Sequence, residues 1–568
     1  MSSDPKPRYE TISYVWGDPG KRAFIKLDGR TVDVPASSAA AIRRMRLAEH
    51  PRALWIDAIC INQSNVEERE QQVAMMGDIY RNSQGNLIYL GQDKDPVATE
   101  QALKDTKAVL EEMNEETDGL RLVKGTTFDP WRETIKWAET GLRCSREQIL
   151  SASSILNLPW FRRLWVFQEA ALATVNTCFL GRSKWNLLDT LRLARWLEHK
   201  RTYVDSAIFN DVVRVNASTL FEFVDKQHGQ YGSGAFDYPP FWWLLNSCRA
   251  TEVSDVSDKI YGMLGLRQWQ YGIPHLLKPD YRKPSAHVLR DATRYALQEG
   301  EDGLVVWNNI SSQSDEGLER SDSPSWVPDW NHARDGELDP PLFGFEIVRC
   351  SDGLRPKWEG WEGTLPGDPN VLGLYGFELC KIASLGLTLT TKVRDDFDAF
   401  NSWLVDSLAL TEAVGGWQAA CATLVAGTNA EGERATPEDC AALEDLKQLV
   451  QKEERYPMTL SKLQASKLAG DTYEHERRAS RYDFVLTQAC HNRRVFCTSS
   501  GHAGVGSKVL KEGDIIAALY GAENPFALRS SGEEYRLLGE YYVHGIMDGE
   551  ATRKHKQEGK RDTLFRLR

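Results

Sequence analysis

The chain has 568 residues, of which 41% are hydrophobic and 26% charged, so its composition is that of a folded globular protein. Hydrophobic cores stop growing at about 250–300 residues, and a prior of about 150 residues per domain predicts three or four domains. The 81 acidic residues outnumber the 69 basic ones and give a net charge of −12, which argues against nucleic acid as the main partner.

The N-terminal sequence and the cysteine spacing both indicate in which compartment the protein lies. The opening sequence, MSSDPKPRYE, has no basic segment followed by an apolar one, and no run of 18 uncharged apolar residues occurs. The ten cysteines are scattered singly, with Cys490 and Cys497 the closest two, so no zinc-binding spacing is present. We therefore expect a cytoplasmic protein with reduced thiols, no metal site and no membrane span.

The first part of the chain begins with strand signals. Residues 11–17 (TISYVWG) are rich in β-branched and aromatic side chains and are typical of a buried strand that runs into a loop. Residues 24–34 alternate apolar side chains around Asp28-Gly29, a pair that favours a two-residue hairpin turn.

Residues 53–60 are apolar apart from one acid, which predicts a central strand buried on both faces. Ser64 and Glu67 then predict a capping box at the start of a helix, and residues 86–91 (NLIYLG) predict the next strand. Because a strand, helix, strand order within one sheet favours a parallel, right-handed crossover, we expect an α/β fold.

The rest of the chain divides by pattern. Residues 95–155 are charged and helical in pattern and are interpreted as an insertion, whereas residues 158–173 predict a helix and residues 174–181 a strand, which closes a first domain at 1–185. Three further regions follow: a mainly helical region, a mixed β/α region and a small β-rich module, at residues 186–320, 321–490 and 491–568.

Several sequence blocks resemble those of a known family. In order along the first third of the chain, the motifs of the fungal heterokaryon-incompatibility (HET) domain are matched by SYVWG at 13–17, LWIDAICINQ at 54–63, ERxxQVxxMxxIY at 68–80 and WFRRLWVFQE at 160–169. Later blocks, above all GDIIAALYGAENPFALR and YYVHGIMDGE, resemble the C-terminal regions of large HET proteins of filamentous fungi. The resemblance implies a role in allorecognition and programmed cell death, with protein partners of an incompatibility system and self-association.

HET domains are in turn similar in layout to TIR domains, which have a flavodoxin-like parallel sheet and several of which cleave NAD between nicotinamide and ribose. In the TIR pattern a Trp stands four residues before the catalytic Glu, and Trp165 and Glu169 have this spacing here. The sequence departs from that pattern at Val166, where TIR domains have a Cys, and in the insertion at 95–155. The resemblance implies NAD as a substrate, and no bound cofactor.

Glu169 is the candidate catalytic residue. Cleavage of the bond to nicotinamide needs little acid assistance, because the pyridinium is already a good leaving group, but it needs a carboxylate that faces the developing ribosyl cation. The structural alternative is that Glu169 hydrogen-bonds neighbouring backbone or pairs with Arg162 or Arg163.

Asp57 is the first candidate binding residue, since it lies near the carboxyl end of a predicted strand, where open α/β sheets bind ligands. A buried carboxylate needs a partner, so a structural pair with Arg69 or Arg81, or a cap on the next helix, is the alternative. Asn62 and Arg69 have donors and acceptors that a nucleotide would use, and they could equally serve as caps and turn formers.

Other candidate binding residues lie after the first strand and within the helix predicted at 158–173. Trp16, Gly17 and Asp18 come directly after the first strand, where a glycine lets backbone N–H groups approach a phosphate, although a simple turn explains it too. Trp165 could stack on a base or belong to the core.

Two functions stay open from the sequence. One is an enzyme that hydrolyses NAD when self-associated, and the other is a non-catalytic signalling or adaptor module that acts by oligomerisation and partner recruitment. Recruitment of the scaffold to other small-molecule chemistry is a third alternative.

Overall fold

The computed structural model describes residues 8–117, 143–199, 212–225, 240–299 except 268 and 270, 303–312, 318, 323–331, 350–359, 368–429, 433–451 and 473–568. The chain divides into two compact units. One consists of Met1–Val288 with Asn331–Gly336, and the other of Leu289–Trp330 with Glu337–Arg568.

The first unit is built on a mainly parallel sheet. Its strands are β1 (Glu10–Tyr14), β2 (Arg22–Leu27), β3 (Arg30–Pro35), β4 (Leu54–Trp55), β5 (Asn86–Gly91), β6 (Asn176–Leu180) and β7 (Ser183–Asn186). Five of them form one sheet in the order β4-β1-β5-β6-β7, in which the first four run parallel and β7 is antiparallel. The predicted α/β class is confirmed.

The predicted hairpin is also confirmed. Among the described strands, β2 pairs only with β3, and the two residues between them, Asp28 and Gly29, have φ angles of 48° and 77°. Positive φ at both central positions is the geometry of a type I′ turn, which Asp-Gly favours.

Helices connect and follow these strands along the chain. Up to residue 298 they are α1 (Ala36–Met45), α2 (Asp57–Cys60), α3 (Val66–Arg81), α4 (Pro96–Thr117), α5 (Arg146–Ser153), α6 (Trp165–Leu172), α7 (Leu187–His199), α8 (Val212–Asp225), α9 (Phe241–Ser247), α10 (Asp258–Tyr261) and α11 (Ser285–Gln298). Side chains of α1 pack with those of the sheet in one core, formed by Ile12, Tyr14, Ala41, Met45, Ile56, Leu87, Tyr89 and Phe179.

The prediction of a central strand at residues 53–60 is wrong. Only Leu54–Trp55 pairs, at the edge of the sheet, and the chain turns into α2 at Asp57. Ile56 is 2% exposed and packs in the core, whereas no residue of α2 is buried. A short apolar run does not distinguish strand from helix by periodicity, which explains the error.

Two helix boundaries also differ from prediction. The N-cap of α3 is Asn65, whose side chain accepts from the Glu68 N–H, rather than Ser64. The helix predicted at 158–173 is interrupted, because Arg163 forms a β-bridge with Glu252 and the Leu164 N–H donates to the Glu252 carbonyl at 3.0 Å. A distant segment therefore separates a 3-10 turn from α6.

The second unit contains a closed barrel. Its strands are β8 (Leu372–Thr388), β9 (Arg493–Thr498), β10 (Ala503–Ser507), β11 (Ile515–Leu519), β12 (Phe526–Ser531), β13 (Glu534–Glu540), β14 (Tyr542–Val543) and β15 (Thr563–Leu567). β8 pairs with both β11 and β15, so the five strands β8, β11, β12, β13 and β15 form a closed ring. β8 also pairs with β9, and the sheet extends from β9 to β10 and β14. The predicted β-rich C-terminal region is confirmed.

Helices of the second unit form a further core. They are α12 (Thr391–Asp395), α13 (Phe397–Leu424), α14 (Pro437–Gln451), α15 (Tyr473–Cys490) and α16 (Glu550–Gln557). Trp403, Leu443 and Leu486, from three of these helices, are fully buried in one apolar cluster. Within the ranges given above, no helix is long and apolar enough to cross a membrane.

Candidate functional site

The candidate site lies where two neighbouring parallel strands end. Ser13 and Tyr14 are the last residues of β1, and Trp16 follows in the next loop. Asp57 follows β4, the parallel neighbour of β1, and begins α2. Because the carboxyl ends of adjacent parallel strands lie at the same edge of a sheet, these side chains come together.

Three donors surround the Asp57 carboxylate. The Trp16 indole N–H donates to Oδ2 at 2.7 Å, while the Tyr14 hydroxyl and the Ala58 N–H donate to Oδ1 at 3.1 Å and 2.6 Å. Burial raises the pKa of Asp57, and these hydrogen bonds together with nearby Arg163 oppose the rise. Two predicted site residues, Trp16 and Asp57, are therefore in direct contact.

The arginines proposed as structural partners of Asp57 have other contacts. Arg81 pairs with Asp78 at 2.6 Å and donates to the Gly265 carbonyl at 3.1 Å. Arg69 lies with its guanidinium 3.7 Å from the centre of the Tyr281 ring. The interpretation of Asp57 as half of an ion pair with either arginine is wrong, because both guanidinium groups have other partners. The oxygens of Asp57 instead accept from Trp16, Tyr14 and the Ala58 N–H.

Glu169 is held from β1. It lies in α6, is 4% exposed, and its Oε2 accepts a hydrogen bond from the Ser13 hydroxyl. Ser13 in turn accepts from the Trp160 indole N–H at 2.7 Å, and the Asn86 side chain donates to the Glu169 carbonyl at 3.2 Å. Both the carboxylate and the backbone of Glu169 are thus tied to neighbouring strands.

Burial raises the pKa of Glu169 to about 7, against the lowering effects of nearby Arg163 and the Ser13 hydrogen bond, while the charge of Asp57 raises it. Arg163 donates its own hydrogen bond to the Tyr14 carbonyl. We call the group of six that shares this edge the polar cluster; it consists of Ser13, Tyr14, Asp57, Trp160, Arg163 and Glu169.

A second group of contacts includes two more predicted residues. The Trp165 indole N–H donates to Asp258 Oδ2 at 3.1 Å, and the Tyr281 hydroxyl donates to Asp258 Oδ1 at 2.7 Å. Arg69 stacks on Tyr281 as described above. The structure thus brings Trp165 and Arg69 together at Asp258 and Tyr281.

The remaining predicted residues form turns on the surface. Gly17 has φ +70°, Asp18 Oδ1 accepts from the Gly20 N–H at 2.9 Å, and Asn62 Oδ1 accepts from the Ser64 N–H at 3.2 Å. All three predicted residues are exposed. Their contacts within the chain are those of turn formers.

Sequence reasoning missed several members of these two groups. Ser13, Tyr14 and Trp160 stand inside the SYVWG and WFRRLWVFQE blocks, so the blocks themselves carried the signal. Arg163, in the second block, was named from the sequence only as a structural partner of Glu169. Asp258 and Tyr281 stand in the sequences SDKIYGMLGL at 257–266 and PDY at 279–281. Nothing in their local pattern indicates that they reach α6.

Two family models match parts of this chain. The family model described as heterokaryon incompatibility protein (HET) matches residues 9–169, and the model of the Het-6 β-barrel domain matches residues 428–563. The chain is thus similar to a HET domain near its N-terminus and to a Het-6 β-barrel domain in its C-terminal half. The HET domain match begins just before β1 and ends at Glu169, so it includes the whole polar cluster but neither Asp258 nor Tyr281.

The similarity extends over almost the full chain. Over 653 aligned residues, covering 98% of this chain and 91% of the relative, the sequence is 24% identical to heterokaryon incompatibility protein 6, OR allele, of Neurospora crassa. No solved structure matches. The resemblance to fungal HET-domain proteins, predicted from the motifs, is confirmed.

Proposed function

We propose that this protein acts in heterokaryon incompatibility and triggers cell death by hydrolysing NAD in its HET domain. The observation that carries the proposal is the environment of Glu169, a buried carboxylate with a pKa of about 7 beside Asp57 and Arg163. Carboxylates with a strongly shifted pKa cluster at functional sites. The carboxyl edge of a parallel sheet is also where α/β folds bind nucleotides.

In the proposed reaction the C–N bond between ribose and nicotinamide breaks, and its electron pair leaves with nicotinamide. Water bonds to the anomeric carbon and loses a proton, which gives ADP-ribose, nicotinamide and H⁺. The ionised Glu169 carboxylate faces the ribosyl cation and stabilises it. Arg163 and the Ser13 hydroxyl favour this ionised form, because both lower the pKa of Glu169.

Substrate contacts are proposed at the exposed side of the same edge. The Trp16 side chain is 37% exposed, so one face of its indole could stack on a ring of NAD while its N–H stays on Asp57. Gly17 and Asp18 would present backbone N–H groups to the phosphates. Further contacts are assigned to Asn62, Arg69 and Trp165.

A second function has one observation in its favour. Glu169 is 4% exposed, and its hydrogen bonds fix α6 to the sheet, which is what a purely structural carboxylate would do. In that case the HET domain would oligomerise or recruit a partner without catalysis, while the C-terminal half with its barrel senses the protein partner of the incompatibility system.

Both functions are proposed for the cytoplasm, with the ten cysteines as support. All ten are free thiols, as expected in a reducing compartment. The proposal therefore uses cytoplasmic NAD as the substrate.

Expression in a fungal host separates the two functions. Glu169→Gln keeps the size of the side chain and an oxygen that accepts from Ser13, but it removes the charge. Hydrolysis predicts that this variant loses toxicity and leaves cellular NAD intact, while the matched surface change Glu49→Gln stays toxic. Full toxicity of Glu169→Gln at wild-type protein levels would favour recruitment instead.

A further inference from the structure

Helix α6, which carries Glu169, is held by a part of the chain that lies beyond the HET match. We call the described residues of 252–283, which leave out 268 and 270, the clamp segment. At its start, the Glu252 N–H donates to the Arg162 carbonyl at 2.6 Å, and the Glu252 carbonyl accepts from the Leu164 N–H at 3.0 Å. These two bonds fix the chain directly before α6.

The clamp segment next contacts the first residue of α6. Asp258 uses both carboxylate oxygens, one for the Trp165 indole N–H at 3.1 Å and one for the Tyr281 hydroxyl at 2.7 Å. Trp165 and Glu169 are four residues apart, so they lie on the same face of the helix. If Trp165 moves, Glu169, one helical turn away, therefore moves with it.

A third contact fixes α6 in the middle. Gln168 Oε1 accepts from the Gly265 N–H at 2.8 Å. A Cβ added to Gly265 would lie 2.5 Å from this oxygen and 2.7 Å from the Gly77 Cα in α3, so the clamp segment fits closely against both helices.

Burial and the donors around Asp258 act on its pKa in opposite directions, and burial has the larger effect. Burial raises the pKa of Asp258 to about 6, and the hydrogen bonds from Tyr281 and Trp165 lower it, as does nearby Arg69, while Asp255 raises it. At neutral pH the carboxylate is therefore mostly ionised. An ionised acceptor makes stronger hydrogen bonds than a neutral one.

We propose that Asp258 is a positioning residue for Glu169: by holding Trp165, it fixes α6 so that the Glu169 carboxylate stays on Ser13 and beside Arg163. As far as catalysis is concerned, this inference rests on the NAD hydrolysis proposed above. The positional part concerns only residues of this chain and is tested without NAD.

The test compares Asp258→Asn with the matched change Asp255→Asn in the full chain. An amide at 258 accepts from only one of the two donors and turns its NH₂ toward the other. Asp255 accepts from the Ser257 N–H at 3.0 Å, which an amide oxygen can also do. Trp165→Phe, which keeps an aromatic ring but loses the indole N–H, serves if Asp258→Asn does not fold.

The readout is the titration of Glu169 in each protein. For each protein, Tm is measured with and without the additional change Glu169→Gln, from about pH 5 to about pH 9. The difference between the two Tm values reports the ionisation of Glu169. The groups that face Glu169 stay the same in all these proteins, namely Ser13, Tyr14, Asp57, Tyr80 and Arg163.

We expect the Tm difference to level off near pH 7 in the wild type and in Asp255→Asn. In Asp258→Asn or Trp165→Phe it should level off at least about one pH unit lower, because burial is the largest influence on the pKa of Glu169. Water admitted by a displaced α6 therefore outweighs the loss of the Ser13 and Arg163 contacts. An unchanged profile in both of these variants would overturn the inference.

Nicotinamide release by the same proteins keeps the two proposals distinguishable. If the wild type releases none while the Glu169 titration shifts as expected, the NAD hydrolysis fails and the positioning stands. If the wild type is active and Asp258→Asn retains both its rate and its Glu169 titration, the positioning fails and the hydrolysis stands.

Discussion

The hydroxyl of Ser13 donates a hydrogen bond to the carboxylate of Glu169, joining the end of β1 to α6 across 156 positions of sequence. A serine hydroxyl carries one proton, and Ser13 already accepts from the Trp160 indole N–H at 2.7 Å. Its proton is therefore directed to Glu169. This contact favours the ionised carboxylate, which is the form that the proposed chemistry requires.

Removal of that contact should change the pH dependence of the reaction. In Ser13→Ala the ionised carboxylate loses its donor, so the pKa of Glu169 rises above about 7. The fall in nicotinamide release on the acid side should consequently move to higher pH. The measurement is a pH profile of kcat for Ser13→Ala beside the exposed control Ser64→Ala. A Ser13→Ala profile that coincides with that of the control would show that the contact does not act on Glu169.

Glu169→Gln should stabilise the protein at neutral and alkaline pH. The pKa of Glu169 is raised to about 7 in the folded chain from 4.5, so the unfolded state releases this proton at lower pH than the native state does. Ionisation therefore costs stability progressively between these values, by roughly 2–4 kcal/mol above pH 7. Glutamine removes that cost.

Thermal melting checks this prediction. The Tm of Glu169→Gln should exceed that of the wild type increasingly as pH rises from about 5 to about 7, and by a constant amount above that. A difference that shrinks with rising pH would mean that the folded state stabilises the charge.

The two aromatic donors to Asp57 should contribute unequally to stability. Tyr14 is 2% exposed, so in Tyr14→Phe water has little access to replace the lost hydroxyl donor to Asp57. We expect the free energy of unfolding to fall by about 1–2 kcal/mol. Trp16 is 37% exposed, so water can take the place of its N–H in Trp16→Phe. Denaturant unfolding of both variants gives the comparison. A larger loss in Trp16→Phe would contradict this account of Asp57.

The clamp segment should be required for the fold of the HET domain. Gly265→Ala places a Cβ 2.5 Å from Gln168 Oε1 and 2.7 Å from the Gly77 Cα, which forces the segment away from α3 and α6. We expect a destabilisation of about 1–3 kcal/mol. Gly85→Ala is the matched control, since its Cβ would meet its nearest neighbour at 3.5 Å, an ordinary contact. Equal Tm values for the two variants would show that the close approach at Gly265 is not needed.

Local patterns were sufficient for much of the fold. β1, β5, β6 and α3 were predicted because each is marked within about ten residues by alternation, helical spacing or capping residues. The hairpin was predicted from Asp28-Gly29 alone, since two positive φ angles favour this pair. The interruption at Arg163 was not predictable, because it depends on a bridge to Glu252.

The same distinction applies to the candidate site. Trp16 and Asp57 were both predicted as site residues, but their hydrogen bond joins residues 41 positions apart, so sequence reasoning could not pair them. Asp258 was missed although it bonds to Trp165, because the two residues are 93 positions apart. Local sequence shows which side chains can act as hydrogen-bond donors, acceptors or charged groups, while the packing of distant segments decides their partners.

Nicotinamide release from NAD by purified, concentrated wild-type protein and by Glu169→Gln is the most direct test of the proposed function. The account predicts release by the wild type and a loss of at least about 100-fold in Glu169→Gln, because the ribosyl cation would no longer face a charged carboxylate. Melting curves of both proteins confirm that they are folded. Equal release by the two folded proteins, or none by either, would contradict it.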